Sequence, residues 1–279
     1  MSSRTFLAPP GTRVLRELGA GSTFEVAIVS TSSGPAIAKR ARRSLAREPV
    51  AEDALRREAA ALRALAGPTV PRLLAEGVDE HGAFVIESVA AGPSLRDLRG
   101  PSRADVGVRG RIAARAARAL ASLHDASDEL GSIGFVHGDP APDHFVVTAA
   151  QEIVVLDFGA STTRDLPTPS PGRGTLPYAA PELCRGESAA SRATDRYALA
   201  VIVAELFVGP RLAPRLGEAA MLLRIGELGH DLGALAELPA ALRVALAAHL
   251  AHDPDERPGD LAALADPATY AGLDSGGAS

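Results

Sequence analysis

Apolar and polar positions divide this chain into two textures. In the first third, apolar residues fall in short runs separated by turns. Val14, Leu15 and Leu18, then Val26 and Ile28, mark two short strands within residues 13–29, around Gly19-Ala20-Gly21. Ala36-Ile37-Ala38-Lys39 marks a third strand after the turn at Gly34-Pro35. The period then changes. Leu55, Leu62 and Leu65 lie on one helical stripe, Pro49 with the acids Glu52 and Asp53 stands at its start, and Gly67-Pro68 ends it. Residues 72–78 and 83–89 read as two more strands.

Beyond residue 89 the helical period dominates. Ile112, Ala116, Ala119, Leu120 and Leu123 predict a helix over residues 105–125. Phe145–Val147 and Ile153–Leu156 are short strands, residues 164–174 are a Pro- and Gly-rich loop, and helices fill most of 190–265. The longest apolar run, Tyr197 to Val208, is broken by Glu205 and is too short to span a bilayer, so it reads as a buried core helix. A strand-rich start before a helix-rich remainder predicts an α+β fold with two lobes, one over 12–88 and one over 89–265. Residues 1–11 and 266–279 are expected to be flexible termini.

Composition sharpens this picture. With 279 residues and 46% apolar content, the chain can bury a sizeable core. A net charge of −5 with both signs interspersed lacks the basic field of a nucleic-acid binder. Cys184 is the only cysteine, which excludes an internal disulfide or a thiolate metal cage and fits a reducing compartment. Arg4 and Phe6 lead straight to Pro9, Pro10 and Gly11, with no leader pattern, so a cytoplasmic protein without a membrane segment is expected. Arginine is abundant, asparagine is absent, and Lys39 is the only lysine. A lone lysine in an arginine-rich chain fits a place that needs a compact ammonium, although codon bias produces the same count.

Several residues carry candidate chemistry. Glu58 lies on the stripe of Leu55 and Leu62, where a carboxylate is costly unless it meets a cation or reaches water. Lys39, on the preceding strand, is the natural partner. Gly19 and Gly21 would let backbone N–H groups approach a phosphate, or simply make a tight turn. Asp139, in His137-Gly138-Asp139, and Asp157, in Asp157-Phe158-Gly159, sit in turns beside short strands. Two such carboxylates at one phosphate can divide the work between proton acceptance and metal binding, but aspartates in turns commonly serve only the turn.

The order of these signals is more telling than any one of them. Gly19-Ala20-Gly21 with Val26, then Lys39, Glu58, His137-Gly138-Asp139, Asp157-Phe158-Gly159 and Ala180-Pro181-Glu182 resembles the eukaryotic-type Ser/Thr protein kinase family over roughly residues 12–262. The resemblance implies ATP and Mg²⁺ as cofactors and a protein substrate. Lys39, fixed by Glu58, would contact the α- and β-phosphates, with Asp139 as base and Asp157 on Mg²⁺. It places Ile86 at the gatekeeper position, Glu87-Ser88-Val89 at the strand that reads adenine, Ile37 and Val146 against the base, and Thr175 in the substrate-docking segment. It also implies that Asp195 anchors the catalytic loop and that Glu182 pairs with Arg257.

Five positions depart from the family pattern. His144 replaces the asparagine that binds the second metal, which makes it a candidate ligand and leaves Mn²⁺ open beside Mg²⁺. Ala141 replaces a lysine, Gly138 an arginine, Phe24 the third glycine of the loop, and Ile37 a small alanine. Three readings follow: an active Ser/Thr protein kinase, a pseudokinase acting as a nucleotide-binding or scaffold module, and a small-molecule or peptide-tailoring phosphotransferase. Thr162, Thr163, Thr168 and Ser170 are expected in a mobile loop. The run Arg40 to Arg47 is expected to be a solvated face. Substrate and oligomeric state are not legible.

Overall fold

The computed structural model describes residues 6–21, 23–45, 48–99, 106–166, 174–210 and 212–273. By their contacts the residues form two compact units, Met1–Ala90 with Asp157–Gly159, and Ala91–Leu156 with Ala160–Ser279.

The first unit is built on five antiparallel strands: β1 (Arg13–Ala20), β2 (Phe24–Thr31), β3 (Gly34–Ala41), β4 (Leu73–Asp79) and β5 (Gly82–Ser88), in the order β1-β2-β3-β5-β4. The helix α1 (Pro49–Ala64) begins at a proline, whose missing N–H costs nothing there, and buries Leu55, Glu58 and Leu62. The two faces of the sheet are distinct. Ala27, Val29, Ala36, Ala38 and Ile86 form one apolar layer with Phe6. Alternation puts Val26, Ile37, Lys39 and Glu87 on the other face, since Val26 pairs with Lys39 and Ile37 pairs with Glu87.

This register corrects three expectations. Phe6 is 4% exposed within the apolar layer, so the chain start is not wholly loose. Arg40 does not belong to a solvated face. It alternates with Lys39, is 2% exposed, and makes a two-pronged ion pair with Asp79 at 2.7 Å and 2.7 Å beneath Phe84. Ile86 faces the apolar layer with Phe6 rather than the Lys39 face, where its strand places Val85 and Glu87.

The second unit holds α2 (Val106–His124), the short pairs β6 (Ser127–Asp128) with β7 (Gly131–Ser132) and β8 (Phe145–Val147) with β9 (Ile153–Val155), then α3 (Pro181–Cys184), α4 (Arg192–Val208), α5 (Glu218–Leu228), α6 (Ala240–His249) and α7 (Ala262–Ala265). Ser191 and Thr194 close a reciprocal cap at the start of α4. The helix then buries Tyr197 through Leu206 almost without a break, as expected of a helix at the centre of a core. Its one acid in that run, Glu205, accepts from Arg99 at 2.9 Å and from Tyr178 Oη at 3.1 Å. Near the chain end Tyr270 is buried and donates to Leu264 O, so residues up to 270 are packed rather than loose. No helix among the described residues is long and apolar enough to cross a membrane.

Candidate active site

In the first unit the chemistry gathers on the Lys39 face of the sheet. The Lys39 ammonium donates to Glu58 Oε1 at 2.5 Å, so the predicted strand-to-helix pair is present. A second carboxylate also reaches it: Glu87 Oε1 lies 3.1 Å from Lys39 Nζ. Lys39, Glu58 and Glu87 are 8%, 1% and 2% exposed. Glu87 Oε2 is buried without a hydrogen-bond partner among the described residues. Asp157 has φ +64°, a left-handed conformation that an aspartate tolerates better than most residues.

The electrostatics follow from this excess of acid over base. Burial alone would lower the lysine's affinity for its proton, but the charges of Glu58, Glu87 and Asp157 outweigh burial and raise it. Burial pushes Glu58 up to about 8. Lys39 opposes the rise, while Glu87 and Asp157 add to it. Glu58 therefore holds its proton to higher pH than an isolated glutamate would.

The glycine-containing loop turns tightly. Gly19 has φ +128°, and Gly21 N donates to Phe24 O at 2.8 Å. Phe24 starts β2 rather than lying in the loop, which explains why this position tolerates a large side chain. Val89 is 39% exposed beyond the end of β5.

In the second unit a buried anchor fixes the turn that carries Asp139. Asp195, on α4, accepts from His137 N at 2.7 Å, Gly138 N at 2.9 Å and His124 Nε2 at 2.9 Å. Asp139 N donates to His137 Nδ1 at 3.3 Å, so the opposite ring nitrogen of His137 donates to Leu156 O at 3.0 Å. Burial lowers the His137 pKa despite the raising charge of Asp195, which keeps the ring neutral in this relay. Gly138 has φ +82°, and a Cβ there would stand 2.4 Å from Ala160 O. The arginine that the family pattern places here does not fit this backbone.

Asp139 Oδ1 accepts from Thr175 N at 2.7 Å, bringing these two candidates together. His144 Nδ1 donates to Asp139 O at 2.9 Å, and its ring stacks on His137 with centroids 6.0 Å apart. Val146 is buried in β8, opposite Val154. Thr162 is 9% exposed and bridges Val136, so it belongs to packed structure rather than to a mobile loop. Thr168 and Ser170 lie outside the described residues. The expected pairing of Glu182 with Arg257 is present as a buried two-pronged bond, at 2.7 Å and 2.8 Å.

A protein kinase domain profile matches residues 12–267. The chain belongs to the protein kinase family. Its kinase domain is 32% identical over 146 residues to a putative cyclin-dependent kinase F-2 of Oryza sativa subsp. japonica, a match covering 51% of this chain and 43% of that protein. It is 29% identical over 180 residues to the serine/threonine-protein kinase PknB of Mycobacterium leprae, covering 60% of this chain and 27% of that one. A probable serine/threonine-protein kinase of Clostridium perfringens (strain 13 / Type A) is 26% identical over 160 residues, covering 55% and 22%. The matched part is thus less than half the length of each of these relatives.

The residues on the Lys39 face suit a nucleotide triphosphate with a hard divalent cation. Asp157 offers carboxylate oxygens, and such a cation takes most of its remaining ligands from phosphates and water. Among the described residues no cluster of three or more His, Cys, Asp or Glu side chains forms a metal cage.

Proposed function

We propose that this kinase domain transfers the γ-phosphoryl group of ATP to Ser or Thr hydroxyls of a protein substrate. The observation that carries this reading is the buried Lys39–Glu58 pair beside Glu87 and Asp157. A solitary lysine is held rigid in a chain that otherwise uses arginine. Lys39 would hold the α- and β-phosphates, and Glu58 would keep it in place. Asp157 would hold Mg²⁺, which supplies charge neutralisation across the phosphates. Asp139 would orient the attacking hydroxyl and accept its proton. Its bond from Thr175 N supports that role, because it aims the carboxylate from the segment that would dock substrate. Gly19, Gly21 and Val26 would cover the nucleotide, with Ile37 and Val89 against the base.

His144 would be a metal ligand only through Nε2, since Nδ1 serves Asp139 O. That chemistry favours Mn²⁺ over Mg²⁺. A second reading, a nucleotide-binding module with little turnover, is favoured by one observation: the position where the family pattern has a phosphate-contacting lysine is Ala141, 2% exposed.

The test is transfer of labelled phosphate to a generic protein substrate with either metal. Wild type should transfer label, and Lys39→Ala and Asp139→Asn should each reduce transfer by about 10²-fold or more. Equal labelling by wild type and Lys39→Ala contradicts the reading. Nucleotide binding without turnover at either metal selects the module instead.

A further inference from the structure

Most arginines of the second unit have partners. Arg96, Arg99, Arg109, Arg118, Arg185 and Arg257 each donate to a carboxylate or a carbonyl. Arg215 and Arg224 do not: neither side chain has a hydrogen bond or ion pair among the described residues. Both line one pocket of about 600 Å³, together with Leu212, Asp231 and Glu237. The pocket lies away from Asp139 and has its own support. Asp231 N donates to Leu212 O at 3.0 Å, which ties the segment before α5 to the segment after it. Arg215, exposed, comes from the first segment, and Arg224, half-buried, comes from α5 itself. The acids are already in use: Asp231 Oδ1 accepts from Gly233 N at 2.9 Å, and Glu237 is engaged as well. The guanidinium groups are therefore the idle partners here. A guanidinium keeps its charge and only donates, so two of them on one concavity suit an anion.

We propose that Arg215 and Arg224 bind the phosphate monoester of a protein that already carries one, so that phosphorylated proteins are the preferred substrates. This rests on the reading that the chain phosphorylates proteins. The lining selects the ligand. A guanidinium fork meets phosphate oxygens two at a time. The volume falls within the ~300–1,000 Å³ of sites for whole organic ligands, so the phosphate arrives on a larger group. Asp231 and Glu237 repel a polyanion such as a nucleic acid, and they leave acceptor oxygens for peptide N–H groups. The helix α5 links the pocket to the docking segment. Its Glu218, Ala219 and Leu222 line a second groove with Gly174 and Leu176, on either side of Thr175. At about 100° per residue, Arg224 falls on the opposite side of the same helix. A substrate chain that crosses α5 reaches both.

The probe is a fluorescein-labelled peptide of one phosphoserine flanked by alanines, titrated against the full chain by fluorescence anisotropy without nucleotide or metal. It is compared with the same peptide unphosphorylated. The phosphopeptide should bind at least about tenfold more tightly, and Arg215→Gln and Arg224→Gln should each remove most of that difference, as expected for bonds between charged groups. Arg243→Gln removes an exposed, unpartnered arginine of α6 outside the pocket and should change nothing. Equal binding of the two peptides, or a preference that survives in Arg215→Gln or in Arg224→Gln, overturns the site. Inorganic phosphate or a single-stranded oligonucleotide that displaces the phosphopeptide at equal concentration overturns the protein-substrate assignment. A protein that transfers label but does not prefer the phosphopeptide overturns this inference alone. One that binds it but transfers no label overturns the kinase reading and the substrate role, and leaves the anion pocket.

Discussion

The two units bury their acids in opposite ways. In the second, each of three deep carboxylates is met by an arginine or by backbone and histidine N–H donors. Glu182 meets Arg257 with two bonds, Glu205 meets Arg99 and Tyr178, and Asp195 takes two backbone N–H groups and His124. In the first, a single ammonium faces Glu58 and Glu87, with Asp157 adding its charge, and one oxygen of Glu87 is unmatched. Matched acids hold a scaffold together. Unmatched acids cost stability and make sense where a ligand supplies the missing charge and donors.

The contrast can be broken at several points. The largest expected effect is on the scaffold. Arg257→Ala strands Glu182 in the core and should cost about 3–5 kcal/mol in denaturant unfolding. A loss under 1 kcal/mol would show that the pair is not buried as described. Asp195→Asn should cost about 1–3 kcal/mol, because the amide accepts fewer of the three bonds now converging there, and it should also impair transfer by loosening the turn that carries Asp139.

Two smaller effects depend on pH and have opposite signs. His230 is buried, donates from Nε2 to Pro177 O and accepts at Nδ1 from Tyr197 Oη, at 2.8 Å each, and burial pushes its pKa down to about 4. The unfolded chain takes up that proton near the ordinary value of 6.5, so this group's contribution is present above 6.5 and is lost as pH falls toward 4. His230→Gln should flatten that limb of the stability profile. Glu58 works the other way. Its pKa is raised from 4.5 to about 8, so its contribution is full below 4.5 and is lost as pH rises toward 8. Glu87→Gln removes one of the acids that raise Glu58 and should flatten this second limb. An unchanged slope between pH 5 and 8 would show that Glu87 does not act on Glu58.

Much of this arrangement was legible in the residues. The stripe of Leu55 and Leu62 placed Glu58 inward, and a buried carboxylate after the only lysine predicts their pair. The motif order gave the family, and with it the Glu182–Arg257 bond and the Asp195 anchor. The resemblance implied Glu87 at the strand that reads adenine, but the inward turn of its side chain toward Lys39 was not legible, because Phe84 to Ser88 carries no polar-apolar alternation that would reveal its inner face. An offset of one residue swaps the faces of a strand, and it put Ile86 where Glu87 stands. The pairing of Glu87 with Ile37 across β3 was the missing information. Arg40 misled for a related reason: within a run of arginines nothing marked it as the one alternating inward beside Lys39. Phe6 is an isolated aromatic before two prolines, and only the apolar layer it covers explains its burial.

The most direct test sets one acid from each unit side by side. Glu182→Gln and Glu87→Gln make the same chemical change, each at a site under 5% exposed. Unfolding midpoints at pH 7, without nucleotide, should drop by several degrees for Glu182→Gln and should stay level or rise for Glu87→Gln. Equal losses at both sites would contradict the claim that the Lys39 face carries more acid than the protein alone can satisfy.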